Sequence, residues 1–230
     1  MKPSLIREVL LKNDSKFTNM GILDGLLGVS LYHYYYYLYT NDETYLNDVI
    51  TYLEKSIEGL SESYKGTNII NNIIDLGDYS FFLYQEKILE KEDINELLTD
   101  SDEIIKSFLF EEIEKKNLSP MFGAVKAGYY LLNRSELIDV NSELISLLKA
   151  IDEQAIRVEK FIYWESTFNN SQEPVALLGV THGVAGIINF LLQAYSKKIP
   201  YKDLKMLILR SLNFLYEFNE KKGTNWFRLE

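Results

Sequence analysis

The sequence predicts an all-α fold built from paired helices, and three observations predict it. Only 4 Pro and 12 Gly punctuate 230 residues, which favours long helices over many short strands. Four apolar-aromatic segments opened by a glycine alternate with four charged segments whose apolar residues recur at three-and-four spacing. No segment alternates apolar and polar residues over strand length. Little or no sheet is therefore expected, and helix should exceed about 60% of residues, against the usual third.

The glycine-led segments share one design: a small residue, three positions, a second small or altered residue, then an apolar helix. They are Gly25-Leu-Leu-Gly28, Gly77-Asp-Tyr-Ser80, Gly123-Ala-Val-Lys126 and Gly183-Val-Ala-Gly186. A glycine at the start of an inner helix lets neighbouring backbone or a ligand approach closely, and open amides there bind anions. The plainer reading is that these glycines permit tight loops. Pro120 and Pro200 suit the first turns of the helices that follow them.

Between these segments lie the amphipathic stripes. Tyr45, Val49, Tyr52, Leu53, Ile57 and Leu60 form the first, and Ile104, Ile105, Phe108, Leu109 and Ile113 the second. Leu144, Leu147, Leu148, Ile151, Ala155 and Val158 form the third, and Leu204, Leu207, Ile208, Ser211, Leu212 and Leu215 the fourth. An apolar helix must be covered on most sides, whereas an amphipathic one can face water. The arrangement that satisfies both is an inner layer wrapped by an outer one. Repeated roughly every 45 to 60 residues, it makes an α-solenoid or a closed α-toroid. The loop from Phe168 to Pro174 is the candidate flexible segment.

Composition narrows the function. With 47% hydrophobic and 25% charged residues, the chain can bury a sizeable core as one domain over residues 1–230. A formal net charge of -10 argues against nucleic-acid binding and against docking on anionic lipid. No cysteine is present, so the chain contains no disulfide, thiolate nucleophile or Cys-ligated metal. The start lacks an apolar signal core, and the apolar tract Leu31 to Tyr39 is too short to span a bilayer. A cytoplasmic protein without membrane insertion is expected.

The fourth repeat reads Leu178-Gly-Val-Thr-His-Gly-Val-Ala-Gly-Ile187. It resembles the Gly-x-Ala-His-Gly-x-x-Gly-Ile signature of the lanthionine synthetase C-like family, with Thr181 in place of the usual alanine. Gly25-Leu-Leu-Gly28 with Leu31 and Tyr32 is similar to that family's first inner helix, and Gly123 to Arg134 to its third. The resemblance implies an α/α toroid, a double-layered helical barrel. Here it would be incomplete, with about four helix-pair repeats led by Gly25, Gly77, Gly123 and Gly183. It further implies a peptide substrate, cyclised by adding a Cys thiol to a dehydrated Ser or Thr, with zinc activating the thiol. His182 matches the histidine that handles a proton, and Thr181, Gly25, Gly123 and Gly183 would line the substrate side. Without the resemblance, His182 reads rather as a structural histidine bonded to nearby backbone, and His33 as a packed or partly exposed helix residue.

The sequence departs from the family pattern where the metal is concerned. The family's zinc ligands are two Cys and one His, in Trp-Cys-x-Gly and Cys-His-Gly segments beyond the histidine motif. This chain contains neither segment and ends soon after Asn225-Trp226-Phe227. Ser119 stands where the family carries an acidic residue. The expectation is therefore a partial toroid whose cyclase chemistry is inactive alone, with zinc bound only if a further C-terminal part supplies ligands. The closing Leu229-Glu230 is compatible with a cut chain. Two alternatives stay open: a non-catalytic peptide-binding toroid, and a carbohydrate-active toroid using Asp24 and Asp75 as a carboxylate pair. An open toroid edge would leave Ile187 to Leu192 exposed. It would then self-associate through that helix and Leu207 to Leu215, or be closed by the N-terminal helix Leu5 to Leu11.

Overall fold

A computed structural model describes residues 3–13, 16–60, 64, 66, 68–166 and 175–222. The expected loop Phe168 to Pro174 and the segment Asn225 to Glu230 lie outside these residues. Nine α-helices and one β-hairpin occur among the described residues, and 68% of them are helical. The order is α1 (Pro3–Asn13), α2 (Leu26–Thr40), α3 (Glu43–Gly59), α4 (Ile69–Gln85), α5 (Lys91–Glu114), α6 (Ala124–Arg134), α7 (Asn141–Glu153), β1 (Ile156–Val158), β2 (Phe161–Tyr163), α8 (Val184–Ser196) and α9 (Leu204–Lys222). After α1, the helices follow as four successive pairs, as the repeat predicts. The chain divides into two compact units, Met1–Ser101 and Asp102–Glu230.

In the first unit, α2 and α3 form a tight hairpin. The chain reverses through Asn41, whose φ of 53° is left-handed, and Asp42 caps α3 by accepting from the Thr44 amide at 3.0 Å. The stripe Tyr45, Val49, Tyr52 and Leu53 is buried as expected. Ser30 ties three helices together. Its hydroxyl donates to the Val49 carbonyl at 2.7 Å and lies 2.7 Å from the Tyr79 hydroxyl of α4.

The second repeat differs from expectation. Gly77 does not open its helix: α4 begins at Ile69, capped by the Asn68 side chain, and Gly77 is buried in mid-helix. Asn68, a favoured N-cap residue, caps from a left-handed conformation, φ 46°, and marks that start ahead of Gly77.

In the second unit, α6 and α7, and α8 and α9, form the pairs, and α6 also packs on α8. Gly128 permits that approach. A Cβ there would lie 2.4 Å from Leu147 Cδ2 and 2.7 Å from Phe190 Cε2. Arg134, 1% exposed, forks onto Asp102 with Nη2–Oδ2 2.7 Å and Nε–Oδ1 2.9 Å, while the Tyr130 hydroxyl donates to Oδ1 at 2.6 Å. A buried charge pair of this kind is satisfied only as a set, so removing one member strands the others.

The third stripe was expected to stay helical to Val158, but α7 stops at Glu153 and the chain enters the hairpin β1–β2. The pairing is antiparallel, with Arg157 opposite Ile162. Tyr163 stacks on Phe214 of α9 at 4.8 Å, and Trp164 Nε1 donates to the Ile151 carbonyl at 2.8 Å.

The expected exposed edge is corrected in one part. Ile187, Ile188, Phe190 and Leu191 are buried, and of the apolar residues in that stretch Leu192 is exposed. Apolar exposure lies on α9 instead, at Met206, Leu209, Leu212 and Tyr216, beside the buried row Leu204, Leu207, Ile208 and Leu215. No helix among the described residues is long and apolar enough to cross a membrane.

Candidate functional site

Three inner helices are entered through the same turn. Gly25, Gly123 and Gly183 occupy the N-cap positions of α2, α6 and α8, each buried and extended. Six residues before each glycine, a carbonyl presses against it. A Cβ would lie 2.5 Å from the Asn19 oxygen, 2.4 Å from that of Asn117 and 2.1 Å from that of Leu177. No side chain fits at such distances, so the glycine is demanded by close backbone approach and not by φ.

The approach has a purpose. Helix starts leave amides without intrahelical partners. Here the Leu26 and Leu27 amides donate to the Asn19 and Met20 carbonyls, Ala124 to Asn117, and Val184 and Ala185 to Leu177 and Leu178, at 2.8–3.3 Å. These amides, expected to be open for an anion, are thus used within the turn.

The turn displays the residue just ahead of the glycine: Asp24, Phe122 and His182 in the three copies. In the second unit two copies meet. The His182 ring stacks on Phe122 with centroids 5.5 Å apart and planes 27° apart, and a Cβ on Gly186 would lie 2.5 Å from Pro120 Cγ. Gly186 is therefore where the α8 turn seats on the α6 turn, and the Tyr129 hydroxyl of α6 donates to its carbonyl at 2.9 Å.

His182 is partly buried and borders a recess of about 20 Å³, room for about one water molecule. The recess is lined by Lys116 to Ser119, by Trp164, Glu165 and Ser166 beyond the hairpin, and by Gly183 and Ile187. Burial lowers the proton affinity of His182 below the ordinary imidazole value. Thr181 and Val180 form the exposed crest of the turn. Ser119, at the acidic position of the family, is committed to the turn. Its hydroxyl accepts from the Met121 and Phe122 amides at 3.3 and 3.2 Å. Trp164 and Glu165 were not singled out from sequence. The aromatic, β-branched run Phe161-Ile-Tyr-Trp164 after the short break Glu159-Lys160 is the signal that marks their hairpin.

Asp24 and Asp75 do not repeat one position. Asp24 is exposed in the first-unit turn, where Asn19 Nδ2 donates to it at 2.7 Å. Asp75 lies within α4 and accepts from the Ile22 amide at 3.2 Å, while Asn72 Oδ1 accepts from Met20 at 3.1 Å. The two α4 side chains hold the turn in place. His33 is fully buried in α2, the packed one of its two expected states.

These features define a protein of α/α helix-pair repeats whose inner helices start from glycine-tight turns, one of them bearing a histidine. The sequence model of the lanthionine synthetase C-like protein family matches residues 16–230, and the chain belongs to that family. A search of curated proteins finds no match.

The zinc that the family implies does not fit this donor set. The chain has no cysteine thiolate and only two histidines, and among the described residues no three His, Asp or Glu side chains gather as ligands.

Proposed function

We propose that the chain supplies the peptide-facing, His182-bearing part of a lanthionine synthetase C-like cyclase and is inactive as a cyclase by itself. The reading rests on one observation: His182 stands at the rim of a recess where the α6 and α8 turns meet, with its imidazole held toward the neutral state by burial. Neutral imidazole accepts a proton at pH 7 and, once charged, returns it. In thioether formation the thiol proton leaves, sulfur bonds to the β-carbon of the dehydroamino acid, the C=C π bond breaks and the α-carbon is protonated. His182 is suited to either proton. Thr181 would meet the peptide on the exposed crest, and Gly25, Gly123 and Gly183 would act by shaping their turns. The protein would work in the cytoplasm, and the exposed α9 row is where we place self-association.

The test uses a peptide carrying one Cys and one dehydroalanine. With the chain alone its thiol should remain alkylatable by mass spectrometry. A thioether should appear when a Cys-bearing C-terminal half from a family member is added, and His182→Ala should abolish it. Cyclisation by the chain alone, or none on complementation, would overturn the proposal.

A second reading, a non-catalytic peptide-binding module, is favoured by Ser119, whose hydroxyl is occupied as a turn cap in place of a carboxylate. Peptide binding without any complementation identifies it. The carbohydrate alternative loses its basis, since Asp24 and Asp75 serve the turn and the chain belongs to another family.

A further inference from the structure

The other histidine presents a different problem. His33 is completely buried, and neither ring nitrogen makes a hydrogen bond among the described residues. Buried polar groups are almost always paired, so such a ring calls for a reason. It stacks on Tyr52 at 5.4 Å and 8°, with Tyr32 and Tyr45 at 5.2 and 5.8 Å. Its Nδ1 lies 3.5 Å from Asp48 Oδ2, just beyond hydrogen-bond range. That same oxygen accepts from Arg7 Nε at 2.7 Å. One carboxylate oxygen thus sits between a permanent cation on α1 and a ring that becomes a cation on taking a proton.

The helix it holds is lightly attached. On α1, Leu10 packs against the cluster of Met20, Leu26, Val29 and Tyr52, while Leu5, Val9 and Leu11 are exposed. Besides the ion pair, Arg7 lies over the Tyr45 ring at 5.4 Å. α1 also lies ahead of residues 16–230 that match the family.

We propose that His33 is a proton-operated latch for α1: when the ring takes a proton, Asp48 is drawn from Arg7 onto the imidazolium and α1 is released from the first unit. The charged and titratable groups facing the ring are Arg7 from α1, Tyr32 from α2, and Tyr45, Asp48, Tyr52 and Lys55 from α3, the last lying over Tyr52 at 5.3 Å. Asp48 is the one carboxylate among them, so the new cation has a single carboxylate to turn to. Burial and Arg7 resist protonation while Asp48 favours it, and burial is the largest influence. The latch therefore stays closed near neutral pH and opens on the acid side.

The chain has no cysteine, so a single Val9→Cys carries a unique nitroxide label on an exposed position of α1. With His33 present, the immobile component of its spectrum should fall by about half or more between about pH 7.5 and about pH 5, where imidazoles titrate. In a His33→Phe background the label should stay immobile at both values, and with Asp48→Asn it should be mobile at both. Circular dichroism confirms that each variant is folded, and His33→Gln replaces His33→Phe if the latter is not. An unchanged label in the His33 protein, or the same acid response in both His33 variants, overturns the latch.

Discussion

The turn entering α2 and the turn entering α8 have one backbone and two purposes. Both press a carbonyl against a capping glycine and use carbonyls seven residues back to satisfy the first helix amides. The first is held by side chains of its neighbour, Asn72 and Asp75 of α4, and displays Asp24 bonded to Asn19. The second is seated on the Pro120 turn and displays His182 stacked on Phe122. The repeat therefore keeps one scaffold while varying the side chain displayed ahead of the glycine. The difference lies in what braces each turn: side-chain hydrogen bonds from α4 in one, and ring packing together with the Tyr129 hydrogen bond to the Gly186 carbonyl in the other.

Alanine at the capping glycines should break both turns. The closer contact, 2.1 Å at Gly183 against 2.5 Å at Gly25, makes Gly183→Ala the larger loss, about 3 kcal/mol, with Gly25→Ala somewhat smaller. Urea denaturation of the pair measures it, and equal or negligible losses would deny that backbone approach dictates these glycines.

Removing the brace comes next. Asn72→Ala leaves the Met20 amide without its side-chain acceptor in a buried turn, at about 2 kcal/mol. Phe122→Ala, which takes away a stacking partner and no hydrogen bond of its side chain, should cost less. The opposite order would mean that the ring contact, not the amide bond, is the stronger support.

A gentler effect distinguishes the displayed residues. His182 holds its proton less tightly than a free imidazole. An imidazole with a lowered native pKa contributes stability that is complete above its unfolded value, about 6.5, and is lost as pH falls through that value toward the native one. A histidine resonance titration should therefore give a midpoint below about 6.5, shifting upward in Phe122→Ala as the ring is exposed. Asp24 gives its turn no such imidazole. His182→Ala itself should change stability by about 1 kcal/mol or less, because the ring is only partly buried.

The smallest effect is expected at Gly179, where a Cβ would meet nothing within 4 Å. Gly179→Ala should melt within about 0.5 kcal/mol of the parent. A larger change would show that the exposed crest is more constrained than the cap.

Periodicity alone determined the paired helices, since apolar spacing records which face a helix must hide. The buried faces of α3, α5, α7 and α9 could be read in the main, although Ile104 and Leu212 of their stripes are exposed and Val158 lies in β1, and the glycine caps of α2, α6 and α8 could be read as well. Gly77 misled because a small residue inside a buried helix and one at its cap look alike in sequence; the difference is a contact, not a composition. The hairpin after α7 was missed because three-residue strands are too short for alternation to register. Tertiary structure alone decided that the first amides of α2 and α8 are already bonded, that Ser119 is occupied as a cap, and that Trp164 and Glu165 share the His182 recess. Each depends on groups distant in sequence arriving at one place. Local spacing constrains how a helix packs, but it holds no information about which distant carbonyl, ring or carboxylate will meet it.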